Sequence, residues 1–159
     1  MSCSAVAVSA MLWLASGSGA PVQAAPAVAS VPASVAAEPL FADIVRRARQ
    51  LKAQTEAYRK ALAADPAAPA MTLKDLEAFG TRIGELSVLD MKGHISLKER
   101  GAVDDLKCIL RGISQDLPDK LAAMTAATTV KDQDLALRDM VYLLNDNVEV
   151  ITAPPTPAA

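Results

Sequence analysis

The stretch FADIVRRARQLKAQTEAYRKAL, residues 41–62, decides the fold class. Its apolar and small residues recur at alternating spacings of three and four, the period that places side chains on one face of an α-helix. Pro66 and Pro69 follow, and proline cannot donate the helical hydrogen bond. The stretch therefore predicts one amphipathic helix that ends before these prolines. Its stripe consists of Phe41, Ile44, Ala48, Leu51, Thr55, Tyr58 and Leu62.

A second helix is predicted to begin at residue 72. Thr72 is a suitable N-cap, with Asp75 three residues further on, and Met71 and Leu76 occupy the positions of a hydrophobic staple. The sequence Lys92-Gly93-His94 predicts a break after this helix and places His94 in a solvent-exposed loop. The apolar repeat of the second helix consists of Leu76, Phe79, Ile83 and Leu86.

Two further helices are predicted by the same signals. Ser96 with Glu99 forms a capping box for the third, and Thr129 with Asp132 resembles one for the fourth. Pro118 is expected to kink or split the third helix, with a short continuation over residues 117–126. The third stripe contains Val103, Leu106, Leu110, Ile113 and Leu117. The fourth contains Leu137, Val141, Leu144, Val148 and Ile151, widened by Met140 and Leu143.

Four amphipathic helices with short connections predict an all-α fold, an antiparallel four-helix bundle over residues 40–152. The charge distribution favours the same topology. Residues 41–64 hold six basic and two acidic residues, and residues 128–152 hold two basic and five acidic residues. The first and last helices of such a bundle are neighbours, so their opposite charges favour this pairing, although exposed ion pairs contribute only about 0–1 kcal/mol each.

The N-terminus has the features of an export signal. Residues 5–15 are apolar except for Ser9, too short to span a bilayer and suited to a signal peptide over residues 1–24, with cleavage before Ala25. The segment before this stretch lacks the usual positive charge, so the true start codon is left open, and the alternative is an Ala-rich leader without a targeting role. Residues 25–39 are predicted to be an Ala/Pro-rich linker and residues 153–159 a disordered tail. Export places the mature protein in the periplasm or outside the cell.

Composition excludes several classes of protein. A chain that is 52% apolar and 21% charged is not intrinsically disordered, and two cysteines do not make a disulfide scaffold. A net charge of −2 provides no overall basic field for nucleic acid. No transmembrane span is predicted in the mature chain.

The sequence contains no recognisable catalytic, metal or cofactor site. One His and one core Cys cannot build a zinc site, and no Gly-rich phosphate loop is present. Haem would require axial ligands such as His94 and Met91, which are predicted to share a loop. Cys108 lies in an apolar helical pattern, where it is expected to be a small buried hydrophobe; the alternative is a reactive thiol or an intermolecular disulfide.

Two polar clusters are candidate partner-binding residues. The first, which we call the basic cluster, is Arg46, Arg47, Arg49 and Lys52, suited to an acidic partner, a phosphate group or anionic lipid. The alternative is a solvated helix face. The second is Asn145, Asp146 and Asn147, which interrupt an apolar helix although such residues compete for backbone hydrogen bonds. This triplet predicts a polar contact with a partner or with the basic cluster, and the alternative is the outward face of the helix.

These features lead to a hypothesis of a binding protein. We expect no enzyme but an exported helical bundle with a binding, adaptor or inhibitor role toward another macromolecule, most simply a protein of the cell envelope. The alternative is a carrier that holds a small apolar ligand or haem in space left by Ala48, Gly80 and Gly84. Gly80 and Gly84 are otherwise expected to allow close packing within the bundle, and the alternative is a helix–helix contact with a partner. The oligomeric state is left open.

Overall fold

The computed structural model describes residues 35–102 and 104–153. The predicted signal peptide, the predicted linker as far as residue 34 and the tail from residue 154 lie outside the described residues, as does Val103. A single 3-10 turn at Val35–Ala37 precedes four α-helices. These are α1 (Pro39–Ala61), α2 (Leu76–Glu99), α3 (Asp104–Ala126) and α4 (Val130–Thr152).

The helices form the predicted antiparallel four-helix bundle. Helix α1 packs against α2 and α4, and α3 packs against the same two helices, so α2 and α4 lie on a diagonal. The predicted stripes face the core: Phe41, Leu86, Leu117 and Leu144 are all fully buried. None of the helices in the described part of the chain has an apolar stretch long enough to cross a membrane.

The first helix begins slightly earlier than predicted. Val35 and Ala36, which the sequence places in the linker, pack against the core, and Pro39 rather than residue 40 is the first helical residue. Proline is well tolerated there because the first-turn N–H groups have no helical acceptor. Residues 35–39, which the sequence analysis assigns to the linker, are thus part of the helical structure that the described residues form.

The predicted N-cap at Thr72 is wrong, because side-chain and backbone contacts hold residues 68–74 outside the helix. The side-chain amide of Gln133 forms hydrogen bonds with both backbone groups of Met71. Its nitrogen donates to the Met71 carbonyl oxygen at 2.8 Å, and its oxygen accepts from the Met71 N–H at 3.0 Å. The N–H of Ala70 donates to the carbonyl of Thr128. With its backbone groups used in this way, the chain turns into α2 only at Asp75, which adopts a left-handed φ of 54°.

The predicted break at Lys92-Gly93-His94 is also wrong. Helix α2 continues to Glu99, and the turn into α3 follows at Gly101, whose φ is +64°. Gly93 is buried, and a Cβ added there would lie 3.1 Å from Leu110 and 3.3 Å from Phe41. Gly93 therefore serves close helix packing rather than helix termination. Because the helix is continuous, Ser96 lies within it and is not an N-cap.

The cap predicted for the fourth helix is confirmed. The Thr129 hydroxyl accepts a hydrogen bond from the backbone N–H of Asp132 at 3.2 Å. This bond satisfies one of the N–H groups that a helix start leaves without an acceptor.

Helix α3 runs unbroken through Pro118 and is not split there. Proline has no N–H, so the carbonyl of Ser114 loses its usual donor four residues later. The Ser87 hydroxyl of α2 donates a hydrogen bond to that carbonyl, and both serines are buried. A side chain of the neighbouring helix thus replaces the backbone bond that Pro118 removes.

This replacement predicts a coupling between Ser87 and Pro118. We expect Ser87→Ala to lower the free energy of unfolding by about 1–3 kcal/mol, because it leaves a buried carbonyl without a donor. In a Pro118→Ala background the new backbone N–H at position 118 can donate instead, so the cost of Ser87→Ala should fall below about 1 kcal/mol. Urea unfolding of the four proteins in a double-mutant cycle measures the coupling.

Ser114→Ala is the matched control for this cycle. It removes a buried hydroxyl that donates to the Arg111 carbonyl at 2.7 Å but leaves the Ser114 carbonyl in place. Its cost should be the same with or without Pro118. Equal costs of Ser87→Ala in the two backgrounds would contradict the replacement.

Candidate functional site

Two members of the basic cluster, Arg46 and Arg47, bind carboxylates of the bundle itself. Arg46 and Arg47 both donate to the Asp43 carboxylate, Arg47 through Nε at 2.9 Å. Arg47 also reaches Glu85 of α2 at 2.8 Å. The hydrogen bonds from Arg47 and then Arg46 lower the pKa of Asp43. Arg47 is therefore engaged with both α1 and α2, whereas the exposed Arg46 bonds only residues of its own helix, Asp43 and, at 3.4 Å, Gln50.

The other two members point in different directions. Lys52 donates to the Asn145 side chain of α4 at 2.7 Å. Arg49 is exposed and forms no ion pair with any residue that the structure describes. Arg46 and Arg49 are thus the outward-facing part of the basic cluster.

Helix α1 also forms an ion pair with an acidic residue of α4. Arg59 binds Asp134 through two bonds, at 2.8 and 3.2 Å. This ion pair lies outside the predicted cluster and joins the first and last helices, as the charge distribution predicts.

The three residues of the triplet Asn145, Asp146 and Asn147 lie in different environments. Asn145 lies at the α1–α4 boundary and contacts Lys52, so the predicted contact with the basic cluster exists at this residue. Asp146 is half-buried, and burial and the neighbouring Glu149 raise its pKa. Asn147 is fully buried, so the interpretation of the triplet as an outward face is wrong for this residue.

Asn147 contacts Asp90, a residue that the sequence analysis missed. Its side-chain nitrogen lies 3.0 and 2.9 Å from the two Asp90 oxygens, and both residues are 0% exposed. Burial raises the pKa of Asp90 to about 7, and the hydrogen bond from Asn147 only partly offsets this. A usable signal existed, because Asp90 continues the second stripe four residues after Leu86, and Asn147 lies three residues after Leu144.

A shallow groove between α1 and α2 borders an exposed face that the sequence analysis also missed. Val88 is 55% exposed and Ile95 is 46% exposed, seven residues apart on α2. We call Gly84, Val88 and Ile95 the α2 outer face. The groove has a volume of about 400 Å³ and is lined by Arg47, Gly84, Glu85, Val88, Leu89 and Lys92. Recognising α2 as one helix would have shown this second stripe opposite the core.

The two glycines of α2 that the sequence analysis singled out differ in their surroundings. A Cβ at Gly80 would lie 3.4 Å from Leu121 of α3, so this residue serves packing within the bundle as predicted. A Cβ at Gly84 would meet nothing within 4 Å, so the packing interpretation is wrong for Gly84. The two glycines of this pair therefore have different roles in the packing of α2.

His94 is not in a loop but on α2, half-buried, where its Nδ1 donates to the Lys107 carbonyl at 2.6 Å. Met91 lies three residues earlier on the same helix. Two ligands so placed cannot approach a haem iron from opposite sides. Cys108 is half-buried on α3 rather than fully buried.

Comparisons of the chain with known protein families, with curated proteins and with solved structures found no match. The candidate site is therefore defined by geometry alone and consists of the α2 outer face and its groove, whose basic lining residues are Arg47 and Lys92; the outward-facing Arg46 and Arg49 do not line it.

The different surroundings of Gly84 and Gly93 predict that an added methyl group changes the free energy of unfolding in opposite directions. Gly84→Ala should raise the free energy of unfolding by up to about 1 kcal/mol, because alanine is the better helix former and its methyl meets open space. Gly93→Ala should lower it by about 1–3 kcal/mol, because the methyl crowds Phe41 and Leu110. Urea unfolding followed by circular dichroism measures both, and effects of the same sign would contradict the packing described for α2.

Proposed function

We propose that this chain is an exported helical-bundle protein that binds another protein of the cell envelope, as an adaptor or inhibitor, through the α2 outer face. The observation that carries the proposal is the half-exposed pair Val88 and Ile95 beside a groove with a basic rim. Isolated exposed apolar residues are ordinary, but an apolar stripe bordering a groove is typical of interaction sites.

The charges around the groove indicate the chemistry of the partner. Of the charged residues that line the groove, Glu85 is already bound to Arg47, whereas Lys92 is exposed. An apolar side chain seated against Val88 and Leu89, flanked by a carboxylate that reaches Lys92, would complement this surface. We therefore propose a partner segment, helical or extended, that combines apolar and acidic residues.

The export part of the proposal rests on the N-terminal sequence and has its own test. The full chain should be produced with its own leader in a Gram-negative host and recovered from the periplasm. A mass that begins at Ala25 supports export and cleavage. An uncleaved chain retained in the cytoplasm would contradict both.

The binding face is tested by site-specific crosslinking. A photoreactive phenylalanine analogue at position 88 should give a discrete adduct in cells of the source organism, mapped by mass spectrometry to an acidic and apolar segment. The same analogue at position 142 is the matched control, because Tyr142 is 70% exposed on the diagonal helix α4. Equal adducts from both positions would contradict a specific face.

Two variants then separate binding from folding. Lys92→Glu should reduce the adduct at position 88 at least tenfold while helicity is unchanged, since Lys92 lines the groove and is exposed. Gly84→Ala should weaken the adduct although it stabilises the chain, because its methyl obstructs close approach. An undiminished adduct in both variants would overturn the proposed face.

A further inference from the structure

The Asp90–Asn147 contact joins two helices whose backbones do not approach each other closely. Asp90 lies in the middle of α2 and Asn147 on the diagonal helix α4, so their hydrogen bonds cross the centre of the bundle. Among the described residues, Asp90 is the only carboxyl or basic residue that is buried. Nothing in the proposed function uses this pair.

The hydrogen bonds of the pair are incomplete when Asp90 is a carboxylate. The Asn147 nitrogen donates to both Asp90 oxygens, while the Asn147 side-chain oxygen has no partner among the described residues. A buried carboxylate without a cation is costly, and so is a buried amide oxygen without a donor. One proton on Asp90 removes both costs. It neutralises the carboxyl group and provides an O–H that can donate to the amide oxygen once the amide rotates, while the amide N–H donates back.

We propose that the folded bundle holds Asp90 as the neutral acid in a reciprocal acid–amide pair with Asn147, so that this pair is a proton-dependent latch between α2 and α4. Loss of the proton leaves an unpaired charge in the core and weakens the bundle.

The residues packed around the latch offer no alternative source of charge. Next to it on α2, Gly93 packs against Phe41 and Ile44 of α1 and against Leu110 of α3. The buried stripe of α1 has one titratable group, Tyr58, whose hydroxyl donates to the Lys74 carbonyl at 2.5 Å. The buried polar group of α3 is Ser114, which is not titratable in this range.

Two half-buried titratable groups lie close to the latch in sequence. Their contributions to the pH dependence of stability must be distinguished from that of Asp90. His94, on α2, is bound through Nδ1 to the Lys107 carbonyl of α3. Asp146, on α4, precedes Asn147 and also has a raised pKa. Asp43 and Asp139 have lowered pKa values, so their contributions change at more acidic pH.

The direction of the pH effect follows from linkage. The pKa of Asp90 rises from 3.8 in a solvated chain to about 7 in the fold, so the folded state binds the proton more tightly than the unfolded state. The contribution of Asp90 to the free energy of unfolding is fully present below its pKa in the unfolded chain, 3.8. It is lost as the pH rises from there through its pKa in the fold, about 7. The unfolding equilibrium constant should therefore increase roughly 50- to 100-fold between about pH 5 and about pH 8.

Urea unfolding of the full chain across this range tests the latch. The wild type should show the full increase. Asp90→Asn preserves the shape of the side chain without a titrating proton and should lose most of the increase, becoming more stable than the wild type near pH 8. Asp146→Asn and His94→Gln are the matched controls and should retain most of it. An unchanged pH dependence in Asp90→Asn would overturn the proposal.

A direct measurement covers the case in which Asp90→Asn does not fold. The carboxyl carbon of Asp90, followed by NMR in the wild-type chain, should titrate well above the ordinary range for aspartate. A carboxyl that is fully ionised at pH 5 would overturn the latch.

Discussion

The close approach of α1 and α3 to Gly93 is the contact on which the rest of the structure depends. Because no side chain stands at this position, Phe41 and Leu110 reach the backbone of α2, and the helix continues through a sequence that otherwise looks like a loop. Continuity determines which residues of α2 face inward. Asp90 enters the core, His94 turns toward α3, and Val88 and Ile95 remain on the outside.

Polar side chains in this bundle complete backbone hydrogen bonds that the helices leave open. Ser87 donates to the carbonyl that Pro118 leaves without a donor, and Gln133 bonds both sides of Met71. Each contact joins segments distant in sequence, and each satisfies a group that would be costly to bury alone. Such contacts select one arrangement of helices among the many that apolar stripes alone would permit.

Helix α2 also combines the features that bear on function. Its inner side carries the buried acid, its outer side carries exposed apolar residues, and its edge toward α1 carries the Arg47–Glu85 pair. Three glycines lie within it, although glycine is the second-poorest helix former. Gly80 packs against Leu121 and Gly93 allows the close approach of α1 and α3, whereas Gly84 faces open space at one end of the proposed partner surface.

The sequence by itself determined the four helices, the stripes of α1 and α4, the cap at Thr129 and the bundle class. These follow from helical periodicity and local capping, which depend on residues within a few positions of one another. Only the tertiary structure decided that Gly93 continues a helix, that Thr72 does not start one, and that Asn147 faces Asp90 rather than solvent. In each case a contact from a distant segment outweighs the local preference: packing on Gly93, hydrogen bonds from Gln133 to Met71, and a buried carboxyl opposite Asn147. Local sequence cannot reveal such contacts, because the residues that make them are brought together only by folding.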